Sequence, residues 1–214
     1  MNSAACAIGR AAAAALLFSG ACGAQPEAPV ARPEVKVGDR WTYQRMDYDA
    51  RQARGKYEME VVFAERGVIQ VVSAQKNKGG EIDTTYTSEW NAVTVPGRVF
   101  NPHTGWFRFP LQVGATYEAA FEAIMPKKGV QSRNQRRVRV VGWEEVTVPA
   151  GKFRALKLIS EGEFQRLDGK SGTSRNLIWY VPEVKRWVKN TLENRGGRGP
   201  GEYTGEELLE YRLQ

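Results

Sequence analysis

The chain has 214 residues, with 31 Lys and Arg against 24 Asp and Glu, one His and two Cys, a length that buries a core without covalent staples. Both cysteines, Cys6 and Cys22, lie in the first 24 residues. A domain beginning after them has no thiol, which excludes an internal disulfide, a thiolate nucleophile and a cysteine-based zinc or iron–sulfur site.

Residues 1–24 have the layout of a secretory signal peptide: one positive charge at Arg10, an apolar run from Ala11 to Phe18, then small residues. The apolar run is too short to stay in a bilayer as a spanning helix. Two processing routes fit. Ser19-Gly20-Ala21-Cys22 resembles a lipobox with Ser in place of the usual Leu, which makes Cys22 the candidate lipidated residue; the alternative is cleavage after Ala24. Several acyl chains on Cys22 would hold the protein stably at a membrane, where one chain would not. Without Arg10 the formal charge falls from +7 to +6, with 30 Lys and Arg against 24 Asp and Glu. In an exported protein that excess points to anionic lipid headgroups or acidic polysaccharide, and not to nucleic acid.

Residues 25–35, with three prolines, read as an extended tether, and residues 36–214 as one domain. Within it the pattern has period two. Tyr57, Met59, Val61 and Phe63 alternate with charged positions, Tyr117, Ala119, Phe121 and Ala123 do the same, and so do Leu209, Tyr211 and Leu213. A short helix is allowed only near GEELLE at the C-terminal end. Hairpin punctuation falls at Glu65-Arg66-Gly67, Asn77 to Gly80, Val95-Pro96-Gly97-Arg98, Val148 to Lys152 and Asp168-Gly169. The expected fold is an all-β antiparallel meander of about ten to eleven strands with little helix.

A weak internal duplication matches Val37-Gly38 to Val113-Gly114, the strand at Tyr57 to that at Arg137, Val68–Val72 to Phe153–Leu158, and Trp90 to Trp179. Chance similarity between strands of a meander explains it equally well.

The segments RFPLQVGATYEAAF, VTVPAGKFRALKL and IWYVPEVKRWVKNT together resemble the uncharacterised exported bacterial proteins of the TapB-like or DUF3108-like type, which share a Val-Pro-Ala-Gly turn. The resemblance covers residues 36–214 and departs at Tyr117, often Trp in those proteins, and at Lys185, often Gly. It implies a β half-barrel similar to the lipoprotein-carrier fold, and no known activity, cofactor or catalytic residue.

Candidate chemistry is sparse. His103 sits between Asn-Pro and Thr-Gly and reads as a turn residue. Glu89, Glu144, Glu145 and Glu163 are candidate carboxylates for a hydrolase, and equally the wet face of strands. The glycine-rich Gly196 to Gly201 has no Walker lysine. In the basic run Arg133 to Val140, Arg137 and Arg139 are expected to face water and Val138 and Val140 the core. The aromatic set, which includes Tyr43, Tyr57, Phe107, Phe109, Phe121, Tyr180 and Trp187, would line a concave face. Trp41, Trp90, Trp106, Trp143 and Trp179 are the candidate ligand-binding residues on it. The sequence reading is therefore a non-enzymatic exported protein, anchored in the periplasm at the outer membrane, that carries a lipid or other apolar envelope molecule without a cofactor or metal. The alternatives are a structural partner of the envelope and a carboxylate hydrolase.

Overall fold

The computed structural model describes residues 27–73, 84–196 and 201–214. The signal segment, Cys22, Asn77 to Gly80 and most of the Gly196 to Gly201 loop lie outside the described residues. Twelve strands follow one another: β1 (Arg40–Asp47), β2 (Gln52–Glu65), β3 (Val68–Ser73), β4 (Thr84–Thr87), β5 (Ala92–Val95), β6 (Arg98–Asn101), β7 (Thr116–Met125), β8 (Val130–Val148), β9 (Gly151–Arg166), β10 (Ser171–Val181), β11 (Arg186–Gly196) and β12 (Glu202–Arg212). Each pairs antiparallel with its neighbours in sequence, and β12 pairs with β1 to close the barrel.

The all-β meander is as expected, but the sheet is a closed barrel of twelve strands, not a half-barrel of ten or eleven. The count fell short because β4, β5 and β6 have four residues each, too few to show an alternating pattern. Closure depends on eight residue pairs between β1 and β12, from Arg40–Arg212 to Asp47–Thr204. Pairing over that chain distance leaves no local signal. GEELLE is part of β12, without a helix. The buried residue there is Leu208, which a bulge at Thr42/Tyr43 sets opposite Tyr43, while Tyr211 is exposed and packs against Phe153.

Strand alternation sorts the two faces. On β8, Ser132, Asn134, Val138 and Val140 are buried, whereas Arg133, Gln135, Arg137 and Arg139 are exposed. Across the outer wall Glu118, Arg137, Glu161, Arg175 and Glu193 are successive cross-strand partners, with Arg137–Glu118 at 2.8 Å and Arg175–Glu161 at 2.7 Å. Such exposed pairs contribute only a few tenths of a kcal/mol each. Their consequence is a charged, hydrated surface along this row of the outer wall.

The halves repeat. Gly38 N–H donates to Val61 O (2.8 Å) and Val61 N–H to Asp39 O (2.9 Å); Gly114 N–H donates to Val140 O (2.8 Å) and Val140 N–H to Ala115 O (2.9 Å). A bulge follows in both places, at Val61/Phe63 and at Val140/Gly142. The entry to β1 and β2 thus recurs at the entry to β7 and β8. The counterpart of Trp90, between β4 and β5, is Lys185 between β10 and β11, and not Trp179: their φ values are 63° and 60°, and both amides bond to the carbonyl three residues back. A left-handed backbone at Lys185 is one that glycine adopts freely.

The Val-Pro-Ala-Gly stretch is the β8–β9 hairpin. Val148 pairs with Gly151, leaving Pro149 and Ala150 as the two-residue loop, and Gly151 has φ 135°. Leu156 and Leu158 are fully buried on the core side. Gly151→Val is expected to lower stability by about 1–2 kcal/mol, read by urea denaturation, through left-handed strain; an unchanged midpoint would remove that assignment. In the stretch read as a tether, Val30 and Leu111 exchange two backbone hydrogen bonds that lay the chain against the barrel.

Candidate functional site

The barrel interior divides along its axis. At one end the inward positions of the strands are large and apolar: Trp41 and Tyr43 on β1, Val61 on β2, Val138 and Val140 on β8, Leu156 and Leu158 on β9, Ile178 and Tyr180 on β10, and Leu208 on β12. The segment around Trp90 closes this end. Trp90 Nε1 donates to Lys185 O (2.8 Å), Trp41 Nε1 to Val184 O (2.9 Å), and the two indoles meet edge to face at 5.5 Å. Arg186 is fully buried among these rings. Burial pushes the phenols of Tyr43 and Tyr86 above their usual range, so they stay neutral; the Tyr43 hydroxyl donates to Trp187 O (2.7 Å) and the Tyr86 hydroxyl accepts from Arg186.

Towards the other end the same strands continue with smaller and more polar inward residues, and the packing opens into a cavity of about 690 Å³. This lies within the range of small-molecule sites. Its apolar surface comes from Tyr57, Met59, Val71, Tyr86, Phe100, Trp106, Phe121, Trp187 and Leu192. Phe100 and Phe121 pack edge to face at 5.8 Å, as do Trp106 and Trp187 at 6.2 Å. The polar surface carries Ser132, Asn134, Asn176, Asn190 and Asn194, the arginines 45, 54, 98, 136 and 166, and the carboxylates Glu202 and Glu206.

Glu206 organises the floor. It accepts hydrogen bonds from Trp187 Nε1 (2.6 Å), Asn190 Nδ2 (2.8 Å) and the Tyr57 hydroxyl. Burial and the Glu206 charge both raise the Tyr57 phenol, which keeps its proton. Arg136 donates through Nη1 to Asn176 Oδ1 (3.1 Å) and lies 5.6 Å from the Phe121 ring centre. Burial pushes Arg136 down to about 10, with the neighbouring Arg98 charge acting in the same direction, so it remains a cation at neutral pH.

Of the five candidate tryptophans, Trp106 lines the cavity. Trp41 and Trp90 belong to the packed end. Trp179 is buried on the outer side of β10, covered by Lys157 (5.1 Å) and Lys189 (5.7 Å), and its Nε1 donates to Glu144 (2.5 Å). Trp143 lies under Arg154 on the β8–β9 arm, 5.0 Å from the guanidinium, outside the cavity lining. The cavity adds Trp187 and Arg136. The second was legible: Arg136 shares the parity of Val138 and Val140, so the alternation that turns those valines inward turns it inward too.

The other candidate groups have local partners. His103 Nδ1 accepts from Gly105 N–H (3.1 Å), Glu89 from Phe109 N–H (3.0 Å), and Glu145 pairs with Lys152 (2.8 Å). Glu163 is exposed on β9. The cavity carboxylates Glu202 and Glu206 are four residues apart on one strand, about 13 Å at roughly 3.3 Å per residue, which is wider than the roughly 5–9.5 Å of a glycosidase acid pair.

No protein-family model matches the chain, so the TapB-like or DUF3108-like resemblance has no counterpart at that level, and no curated protein matches it. Two solved structures share the fold. One is a candidate lipoprotein of Parabacteroides distasonis, with TM-score 0.56 and 14% identity over 87% of this chain and 100% of that one. The other is a candidate exported protein with a YmcC-like fold from Bacteroides fragilis, with TM-score 0.52 and 12% identity over 86% of this chain and 100% of that one. At these identities the likeness is one of fold.

Proposed function

We propose that the protein is an exported, non-enzymatic binding protein that holds an amphiphilic envelope molecule inside the open end of its barrel. The observation that carries this reading is the aromatic-lined cavity of about 690 Å³ above a closed, fully packed end. A twelve-strand barrel is wider than side chains readily fill, and here one half is filled while the other is left open. The wall is apolar where Phe100, Phe121, Trp106 and Trp187 stand and polar where the asparagines and arginines stand, which suits a ligand with a chain and a head.

Export is supported by the signal-peptide layout of residues 1–24, and anchoring at Cys22 by its lipobox-like context. The fold neighbours are themselves described as lipoprotein and exported-protein candidates. The intact mass of the protein recovered from envelopes distinguishes an acylated Cys22 from cleavage after Ala24, and the second result would remove the anchor.

Binding is tested by titrating a dodecyl-chain amphiphile while following the emission of the tryptophans, two of which line the cavity. Ala123 is buried on the cavity wall, so Ala123→Phe fills the space from within. The expected result is saturable binding in the parent, weakened at least about tenfold in Ala123→Phe, with the thermal midpoint retained. Absence of binding, or equal affinity in the filled variant, would overturn the reading.

A further inference from the structure

The charges around the cavity are unevenly matched. Arg54 is paired with Asp47 (2.5 Å) and Arg166 with Asp168 (2.7 Å), both at the mouth. Arg98 and Arg136 have no carboxylate within ion-pair distance among the described residues. Arg98 makes a 3.7 Å contact from Nη2 to Met125 Sδ and stands 6.0 Å from the Phe100 ring centre. Arg136 stands over Phe121, the edge-to-face partner of Phe100, and its buried Nε meets no acceptor among the described residues. Two guanidiniums from β6 and β8 therefore sit above one aromatic pair: the exposed Arg98 feels the charge of Glu202 without pairing with it, and Arg136 feels Arg98 and no carboxylate. Holding two cations together at a partly desolvated wall is costly unless an anion joins them. A guanidinium offers an acidic group charge-assisted hydrogen bonds from a fixed planar fork.

We propose that Arg136 and Arg98 form the head-group subsite of the cavity, so that its ligand is a single-chain amphiphile with an acidic head. The Phe100–Phe121 pair carries the first part of the chain, and Trp106 and Trp187 carry the rest. This rests on the reading that the cavity binds an amphiphile, and it adds the sign of the head and its place. Asn176 acts as a positioning residue by holding Arg136 Nη1.

The test uses three probes on the folded domain by calorimetry: dodecanoate, dodecanol, which has the same chain and no charge, and glucuronate, which has the acid and no chain. The expected result is dodecanoate bound about tenfold more tightly than dodecanol, with glucuronate not bound. Arg136→Gln and Arg98→Gln are each expected to bring the two dodecyl probes to within about threefold while leaving dodecanol affinity unchanged. Arg98 is at the rim, so its variant carries the test if Arg136→Gln does not fold. Equal binding of dodecanoate and dodecanol by the parent, or a preference that survives in the folded variants, overturns the head-group assignment and leaves the cavity reading in place. Glucuronate bound as tightly as dodecanoate overturns the amphiphile in favour of a polar acid. If neither dodecyl probe binds, the cavity reading and the inference fail together.

Discussion

Arg186→Ala is expected to lower stability by about 4 kcal/mol, the largest effect of any single change at the packed end. The guanidinium is fully buried, with the ring centres of Trp187 at 3.7 Å, Trp90 at 4.2 Å and Tyr86 at 5.0 Å, and Trp41 and Tyr43 beyond them. Its Nη2 donates to the Tyr86 hydroxyl (3.1 Å). Desolvating this cation is unfavourable, and the faces of several rings are what offsets it. Alanine removes the cation and leaves a void among rings that cannot collapse together. Arg186→Met keeps much of the volume and none of the charge, and it is expected to cost about 1–2 kcal/mol. Chemical denaturation of the two variants separates the contributions. If the methionine variant is as stable as the parent, the rings do not compensate the charge and its retention needs another reason.

Asp39→Ala is expected to cost about 3 kcal/mol, because the carboxylate ties three parts of the chain together at the same end. Fully buried, it accepts from Lys36 N–H (2.9 Å) through Oδ2, from Gln214 N–H (2.8 Å) through Oδ1, and from Lys185 Nζ at 3.0 Å. Removing it leaves an ammonium, itself mostly buried, without its counter-charge and two amides without acceptors. Thermal unfolding is the direct measurement, and hydrogen exchange at Lys36 and Gln214 gives the local one. A midpoint within one degree of the parent would show that water replaces the carboxylate at no cost.

The alternation of Tyr57, Met59 and Val61, of Tyr117, Phe121 and Ala123, and of Arg137 to Val140 was readable because each strand residue reports its own face. The turns at Arg66-Gly67, Pro96-Gly97 and Pro149 to Gly151 were readable because left-handed or proline-preset positions select their residues locally. The short strands β4, β5 and β6 were not, since four residues hold too little period. For the site, abundance of aromatic residues was visible, but depth in the barrel was not. Trp106 and Trp179 have the same composition signal, and only the register of β10 against β9 and β11 sends Trp179 outside between two lysines. Within the basic run, the parity of Arg136 with Val138 marks it as inward.

From the amino-acid order alone came an antiparallel meander, the position of most of its turns, the confinement of both cysteines to the first 24 residues and the lipobox-like setting of Cys22, because these depend on residues adjacent in the chain. Closure of β12 onto β1, the division of the interior into a filled end around Arg186 and an open end around Arg136, and the choice of which tryptophans meet the cavity were decided by tertiary structure. They depend on strand number, register and the width of the closed barrel, and no short stretch of sequence contains any of the three.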